Sequence, residues 1–231
     1  MARQMSLTPH HIARIHRVVA DPGAAAGPMH TDADYAERLR LMLSSHPAPD
    51  QPTRLFAYGS LIWKPEIPHV AECPARAHGW HRSFCLRQVR FRGSPEFPGL
   101  MMALDRGGSC QGMLYTLPQD DLPGQLNRLF RREFTVKPIT NMPRWIWVMA
   151  EGRRQPALAF VMSRASANYA GRLPPQAVAD VLARACGHVG SGAEYLYNTV
   201  SHLEAKGIHD SGLWQLQRLV AERIGAAGRR V

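Results

Sequence analysis

The sequence lacks the features that would place it at or across a membrane. No apolar run approaches the roughly 20 residues that a helix needs to span a bilayer. The first 17 residues carry charge and histidine without an apolar stretch, so we expect no secretory signal. The composition therefore predicts a cytoplasmic protein with no membrane partner.

Cysteine is scarce, and its four residues are far apart. They are Cys73, Cys85, Cys110 and Cys186, with no C-x-x-C pair among them. This spacing disfavours zinc knuckles and thioredoxin-like redox motifs, and four cysteines in 231 residues do not make a disulfide scaffold. We expect thiols in a reducing cytoplasm, and neither a metal nor another cofactor.

Lysine is rare, although the formal net charge is +10. Lysine occurs only at Lys64, Lys137 and Lys206, and the arginines are scattered apart from Arg229 and Arg230. A nucleic-acid site usually shows a clustered basic patch. We therefore predict no nucleic-acid partner and keep an arginine-rich RNA-binding module as an alternative. A positive field also suits a small anionic substrate.

The sequence pattern changes near residue 50. Residues 1–50 predict an N-terminal helical extension with a Pro-rich linker, in which Thr31 caps a short helix. Residues 51–231 predict the main domain, and a hydrophobic content of 45% is sufficient for one core.

The main domain begins with strands and ends with helices. Six apolar segments predict strands, at Leu55–Tyr58, Arg76–Leu86, Leu100–Leu104, Gln111–Leu117, Trp145–Met149 and Ala157–Met162. Gly107-Gly108 and Glu151-Gly152 predict turns between them. One helix is predicted at about Asp120–Glu133, and three more follow the strands. The first of these three begins at Pro174-Pro175 and ends near Gly187. The second is capped by Ser191 with Glu194, and the third is capped by Asp210. This order predicts an α+β fold.

The placement of Glu133 is the strongest chemical signal. Leu129, Leu126 and Leu122 lie four, seven and eleven residues earlier, so the carboxylate shares the apolar stripe, while Arg131 and Arg132 are expected to point elsewhere. A carboxylate that faces inward has a raised pKa, which suits proton transfer near neutral pH. The alternative is a helix-end glutamate that turns to solvent or pairs with an arginine.

A second signal lies at the end of the first strand, at Tyr58-Gly59-Ser60-Leu61. A strand that ends in Gly-Ser opens a tight turn, whose amides can converge on an anion or an oxyanion. Most such turns are only turns, and the G-x-S-x-G motif of a nucleophilic serine is absent. His78 and His81 lack a third metal ligand in register and are interpreted as surface or structural residues.

Eight motifs follow one another between residues 51 and 221: Leu55 to Pro65, Gly79 to Leu86, Phe91 to Pro95, Pro98-Gly99, Gly112 to Leu117, Arg132-Glu133, Tyr169 to Gly171, and Gly187 to Asp210. In this order they resemble the ChaC-type γ-glutamylcyclotransferase family, most closely its bacterial branch. The resemblance implies a small, mostly antiparallel β-barrel-like sheet with helices around it. It also implies a lyase that cleaves glutathione to 5-oxoproline and Cys-Gly.

The resemblance also assigns roles to single residues. Glu133 matches the catalytic glutamate, acting as general base and then general acid. Tyr58, Gly59, Ser60 and Leu61 match the loop that holds the γ-glutamyl group, and Tyr169 matches a tyrosine of the pocket. The implied partner is therefore a small molecule, glutathione.

One departure from the family and two alternatives remain at this point. Relatives often have a tyrosine shortly after the catalytic glutamate, where this chain reads Thr140-Asn141-Met142-Pro143, so affinity or selectivity is expected to differ. A cyclotransferase for other γ-glutamyl amines or peptides is one alternative. A non-catalytic regulatory binding protein of the same fold is the other.

Overall fold

The computed structural model describes residues 4–23 and 27–227, which form two compact units. The helical unit comprises residues 4–23, 84–102 and 170–227, and the barrel unit comprises residues 27–83 and 103–169. Arg229 and Arg230 lie outside the described residues. No helix in the described ranges is long and apolar enough to cross a membrane.

The helices and strands follow in chain order as α1 (Pro9–Ile15), α2 (Asp32–Ser44), β1 (Arg54–Ala57), α3 (Ser60–Trp63), β2 (Ala71–Gln88), β3 (Gly99–Thr116), α4 (Leu122–Glu133), β4 (Asn141–Ala150), β5 (Arg153–Met162), α5 (Pro175–Leu182), β6 (Cys186–Gly187), β7 (Gly190–Ser191), α6 (Gly192–Ala205) and α7 (Ser211–Ala227). The five longer strands close into a barrel in the order β1-β3-β2-β4-β5, with further pairing between β3 and β5. Pairing is antiparallel for β1 with β3, β2 with β4 and β4 with β5, and parallel for β5 with β1 and with β3. The predicted α+β fold with a mostly antiparallel barrel is confirmed.

The hairpin of β4 and β5 is the most regular part of the barrel. Its strands pair over ten residues, from Asn141 opposite Met162 to Ala150 opposite Arg153. The two residues between them, Glu151 and Gly152, both have positive φ, at 50° and 73°. Such two-residue turns match the twist of a hairpin. The turn predicted at Glu151-Gly152 is therefore confirmed.

The turn predicted at Gly107-Gly108 is wrong, because β3 continues through both glycines. Their φ angles are 106° and 66°. Glycine can take these angles without a steric penalty, so the strand continues through both positions. The two segments predicted on either side form one strand of 18 residues.

The helical unit corrects two further details. Helix α5 ends at Leu182 rather than near Gly187, because the two-stranded hairpin of β6 and β7 follows. Ser191 caps α6 as predicted, since its Oγ accepts a hydrogen bond from the Glu194 amide at 3.1 Å. The Glu194 side chain instead pairs with Arg92, whose Nη1 lies 2.8 Å from Oε2. The last predicted cap is present too, where Asp210 Oδ1 accepts from the Leu213 amide at 3.0 Å.

The N-terminal residues contribute one helix to each unit. Helix α1 belongs to the helical unit and α2 to the barrel unit. Thr31 caps α2 as predicted, and Asp34 completes the reciprocal capping box. A domain boundary between residues 50 and 51 stays a prediction.

Candidate active site

Helix α4 carries Glu133 as its last residue and directs it inward. Asp121 caps the helix by accepting a hydrogen bond from the Gly124 amide at 3.2 Å. Leu126 and Leu129 are buried along the predicted stripe, at relative exposures of 1% and 3%. The Glu133 side chain is 14% exposed, so the predicted inward orientation is confirmed.

Burial determines the proton affinity of Glu133. Desolvation is the largest effect, and it raises the pKa of this carboxyl from 4.5 to about 7. The neighbouring Arg132 cation and a hydrogen bond from Asn141 act in the opposite direction, while the Glu66 carboxylate adds to the rise. A carboxyl with this pKa is populated in both protonation states near neutral pH, as an acid–base group requires.

Arg132 does not point away from Glu133 as the sequence predicted. Its Nε lies 3.4 Å from Glu133 Oε1. Its Nη1 donates to the carbonyl oxygens of Lys64 at 2.6 Å and Pro65 at 3.0 Å, and lies 3.2 Å from Glu66 Oε2. One guanidinium therefore connects Glu133 with the segment that follows α3. Arg131 does point elsewhere, since its Nη2 donates to Asp32 at 2.7 Å.

Asn141 makes the other direct contact with Glu133. Its Nδ2 donates to Glu133 Oε2 at 3.0 Å. Asn141 begins β4 and pairs with Met162, and the Ser163 amide donates to Thr140 O at 2.9 Å, so the backbone is fixed on both sides. The stretch that lacks an aromatic side chain thus provides an amide that contacts the carboxylate.

The segment from Tyr58 to Leu61 passes from β1 into α3. The Ile62 amide donates to Gly59 O at 2.9 Å and the Lys64 amide to Ser60 O at 2.7 Å, which fixes this turn. The Tyr58 hydroxyl donates to Phe160 O at 2.9 Å. The phenol of Tyr58 therefore serves to hold the turn against β5.

The carboxyl end of β5 brings these parts of the site together. Phe160 O accepts from Tyr58, and the Phe160 ring lies 6.1 Å from that of Phe130, one turn before Glu133 in α4. Met162 pairs with Asn141, and Val161 pairs with Leu104 of β3. Three consecutive residues of β5, Phe160 to Met162, thus contact the parts of the site. Phe160 contacts Tyr58 and the helix that carries Glu133, and Met162 pairs with Asn141.

Tyr169 is attached to a different carboxylate, Asp105, which sequence reasoning missed. The Tyr169 hydroxyl donates to Asp105 Oδ2 at 2.9 Å, while Oδ1 accepts from Arg164 Nε at 2.7 Å and from the Arg106 amide at 2.8 Å. Burial alone would raise the pKa of Asp105, but the hydrogen bonds from Arg164 and Tyr169 outweigh it, and the pKa lies below its ordinary value. Asp105 follows Leu104, which pairs with Val161, so this cluster begins beside the same end of β5.

Three contributing residues were missed or misplaced by sequence reasoning: Asp105, Arg132 and Asn141. Asp105 had a signal, because a lone carboxylate after the apolar run from Leu100 to Leu104 is unusual. His81, interpreted as a surface or structural residue, has its Nδ1 3.0 Å from Gly107 O. Within residues 4–23 and 27–227, no group of three or more His, Cys, Asp and Glu side chains is placed to hold a metal ion.

The chain is similar to known proteins over most of its length. A family model described as ChaC-like protein matches residues 53–223. The chain is 36% identical, over 76% of its own length and 78% of the relative, to a glutathione-specific γ-glutamylcyclotransferase of Escherichia coli strain K12. It is 27% identical, over 72% of its length and 87% of the relative, to γ-glutamylcyclotransferase 2-3 of Arabidopsis thaliana.

A solved structure extends the agreement to the fold. The γ-glutamyl cyclotransferase specific to glutathione from yeast superposes with a TM-score of 0.67 at 18% identity, covering 75% of this chain and 97% of the yeast chain. The family match spans most of the chain and includes Glu133 and the Tyr58–Leu61 segment. The chain belongs to the ChaC-like protein family.

Proposed function

We propose that this protein is a glutathione-specific γ-glutamylcyclotransferase, which cleaves glutathione into 5-oxoproline and Cys-Gly. The observation that carries the proposal is the buried carboxyl of Glu133, with a pKa raised to about 7, in a chain of the ChaC-like family. The Escherichia coli and yeast relatives named above support the substrate, since both are described as specific to glutathione.

Glu133 provides the proton transfers of this reaction. As a carboxylate it takes a proton from the substrate's α-ammonium group, and the freed amine attacks the γ-carbonyl carbon to close a five-membered lactam. The attacking nitrogen then carries one proton more than the lactam will. When the tetrahedral intermediate collapses and the bond to the cysteine nitrogen breaks, Glu133 gives the first proton to that nitrogen and then passes on the second from the ring nitrogen, so Cys-Gly leaves as its ammonium form. Such acid–base catalysis contributes about 10²–10⁴-fold to the rate. Atoms and charges balance without a cofactor or metal.

The backbone of the Tyr58–Leu61 turn is the proposed binding site of the γ-glutamyl group. Gly59 precedes α3, and Ser60 and Leu61 begin it, in a tight turn of the kind whose amides can converge on an anion. We assign these amides to the oxyanion of the tetrahedral intermediate, where one donor is worth about 2.7–4 kcal/mol in a protease. Holding the open chain bent adds the proximity contribution.

Tyr169 is proposed as a further wall of the pocket, positioned by its hydrogen bond to Asp105. Its hydroxyl is already donated, so it would present its ring or its oxygen lone pair to the substrate. We propose a cytoplasmic location, because the four cysteines, all within the described residues, form no disulfide with one another. The proposed partner is a small molecule, with no nucleic acid or membrane involved.

The test compares wild type with Glu133→Gln on millimolar reduced glutathione, with 5-oxoproline and Cys-Gly detected by mass spectrometry. We expect product from wild type and a loss of about 10²–10⁴-fold in Glu133→Gln. Glu222→Gln, which neutralises an exposed carboxylate of α7, is the matched control and should retain full turnover.

The other outcomes separate the alternatives. Equal turnover by Glu133→Gln would reject the role of Glu133 while leaving the activity. Turnover of other γ-glutamyl amines or peptides, but not of glutathione, would change the substrate. If folded wild type turned over none of them, a regulatory binding protein of this fold would be the better account.

A further inference from the structure

Asn141 has one polar atom that the fold does not use. Its Nδ2 donates to Glu133 Oε2 at 3.0 Å. Because a carboxylate only accepts, the amide nitrogen must face Glu133, and the amide oxygen faces away from it. That oxygen, Oδ1, is buried, and no donor among the described residues lies within hydrogen-bond distance of it.

A buried acceptor without a donor is unfavourable in a folded protein and calls for an explanation. The backbone of Asn141 is fixed by its pairing with Met162, and the side chain is fixed by Glu133. The amide therefore cannot turn its oxygen towards solvent without losing the bond to the carboxylate. The donor that satisfies Oδ1 therefore comes from outside the described residues, as an ordered water or as a ligand that displaces it.

The position of Oδ1 defines the chemistry of that donor. Oδ1 and Nδ2 share one carbon, so a donor bound to Oδ1 lies next to the amide nitrogen that contacts Glu133. A group that satisfies both Oδ1 and the Glu133 carboxylate must offer at least two N–H donors and a positive charge for the carboxylate. A primary ammonium group, with three N–H donors, meets these requirements.

We propose that Asn141 binds the α-ammonium group of the γ-glutamyl substrate through Oδ1, while its Nδ2 holds Glu133 in position. The inference rests on the proposed function, in which that ammonium group loses its proton to Glu133. Asn141 then orients the nitrogen that becomes the nucleophile. It discriminates against ligands that lack an α-amine, because they leave Oδ1 without a donor.

The test uses two ligands that differ only in the α-amine. Glutathione is the substrate, and glutaryl-cysteinylglycine, which carries hydrogen in place of the α-amino group, is the competitive inhibitor. For Asn141→Leu we expect the KM of glutathione to rise by about 10- to 100-fold, the range for a hydrogen bond to a charged group. The inhibition constant of the analogue should stay within about twofold of wild type.

The pH profile gives a second readout. Glu133 is faced by Arg132, Glu66 and Asn141, and the Asn141 hydrogen bond lowers its pKa. Removing that donor should move the acidic limb of kcat/KM to higher pH. Asn141→Asp should also move the limb to higher pH, yet retain a KM near wild type above the limb, because it keeps an acceptor for the ammonium.

Asn127→Leu is the matched control, because Asn127 lies on α4 and its Oδ1 accepts from Arg131 Nε at 2.6 Å. It should change neither KM nor the pH profile. Equal weakening of both ligands by Asn141→Leu, or an unchanged KM, would overturn the inference while wild-type turnover kept the proposed function. Absence of turnover by wild type would overturn both.

Discussion

Two carboxylates are buried in the barrel unit, and their surroundings give them opposite proton affinities. Asp105 accepts hydrogen bonds from the Arg164 guanidinium, the Tyr169 hydroxyl and a backbone amide, and its pKa lies below the ordinary value. Glu133 accepts one amide hydrogen bond and has a cation at 3.4 Å, and its pKa rises to about 7. Desolvation raises the pKa of both carboxyls, but the hydrogen bonds outweigh it at Asp105 and do not outweigh it at Glu133.

The difference separates a structural acid from a reactive one. Asp105, with three donors, stays ionised and holds Tyr169 and Arg164 in place. Glu133 has few donors, so its charged form is costly and its proton can be exchanged near neutral pH. The predictions below test this contrast, beginning with the largest effect.

Glu133→Gln should stabilise the protein at neutral pH while it lowers turnover by about 10²–10⁴-fold. The wild-type carboxyl contributes fully to stability below its unfolded value of 4.5, and that contribution is lost as pH rises towards about 7. The corresponding loss in the free energy of unfolding is about 3 kcal/mol. Urea denaturation at pH 5 and pH 8 should show the advantage of Glu133→Gln growing with pH. A pH-independent difference would mean that the carboxyl is not desolvated.

Asp105→Asn should have the opposite effect and destabilise the protein near neutral pH. Losing the charged acceptor of Arg164 and Tyr169 should lower the free energy of unfolding by about 2–3 kcal/mol near pH 7. Because its folded pKa is depressed, Asp105 contributes fully above 3.8, and this contribution is lost as pH falls. The same denaturation series should show the penalty shrinking in acid. Asp120→Asn, at an exposed position, is the control with no expected effect.

Arg132→Met should raise the pKa of Glu133 further and so increase its difference from the pKa of Asp105. Arg132 lowers the Glu133 pKa, so its removal should move the acidic limb of kcat/KM to higher pH. Loss of its bonds to Lys64 and Pro65 should reduce kcat/KM by about tenfold, the equivalent of about 1.4 kcal/mol. Arg131→Met removes a neighbouring guanidinium directed to Asp32, and it should leave the pH profile unchanged.

Tyr169→Phe should have the smallest effect on stability, about 1 kcal/mol, because it removes one hydrogen bond of Asp105 and leaves the ring. A double-mutant cycle with Asp105→Asn should show that the two losses are not additive. Additive losses would indicate that Tyr169 and Asp105 act independently.

Much of the fold was predictable because its signals are local. The apolar runs of the strands, the Thr31 and Asp210 caps and the inward face of α4 depend on neighbouring residues. The turn at Gly107-Gly108 was wrongly predicted, since two glycines with positive φ can also lie within a strand. Glu194 was expected to complete a capping box, but it pairs with Arg92, which lies 102 residues away in the sequence.

The site was predictable only in part, for a related reason. Spacing along one helix identified Glu133, and the family resemblance identified the Tyr58–Leu61 turn and Tyr169. Asn141 and Asp105 depend on pairing with Met162 and on contacts with residues up to 64 positions away. No pattern along the chain specifies such contacts, so these two residues required the structure.

The turn at Glu151 and Gly152 has a consequence for protein engineering. Ten paired residues connect it to Asn141, a distance of about 30 Å along the strand at roughly 3.3 Å per residue. Adding or deleting one residue in β4 would shift every pair between the changed position and Asn141 by one residue. It would thereby turn Asn141 to the opposite face of the sheet. Loop grafts at this surface turn must therefore preserve the strand register, or they will inactivate the enzyme from the far end of the barrel.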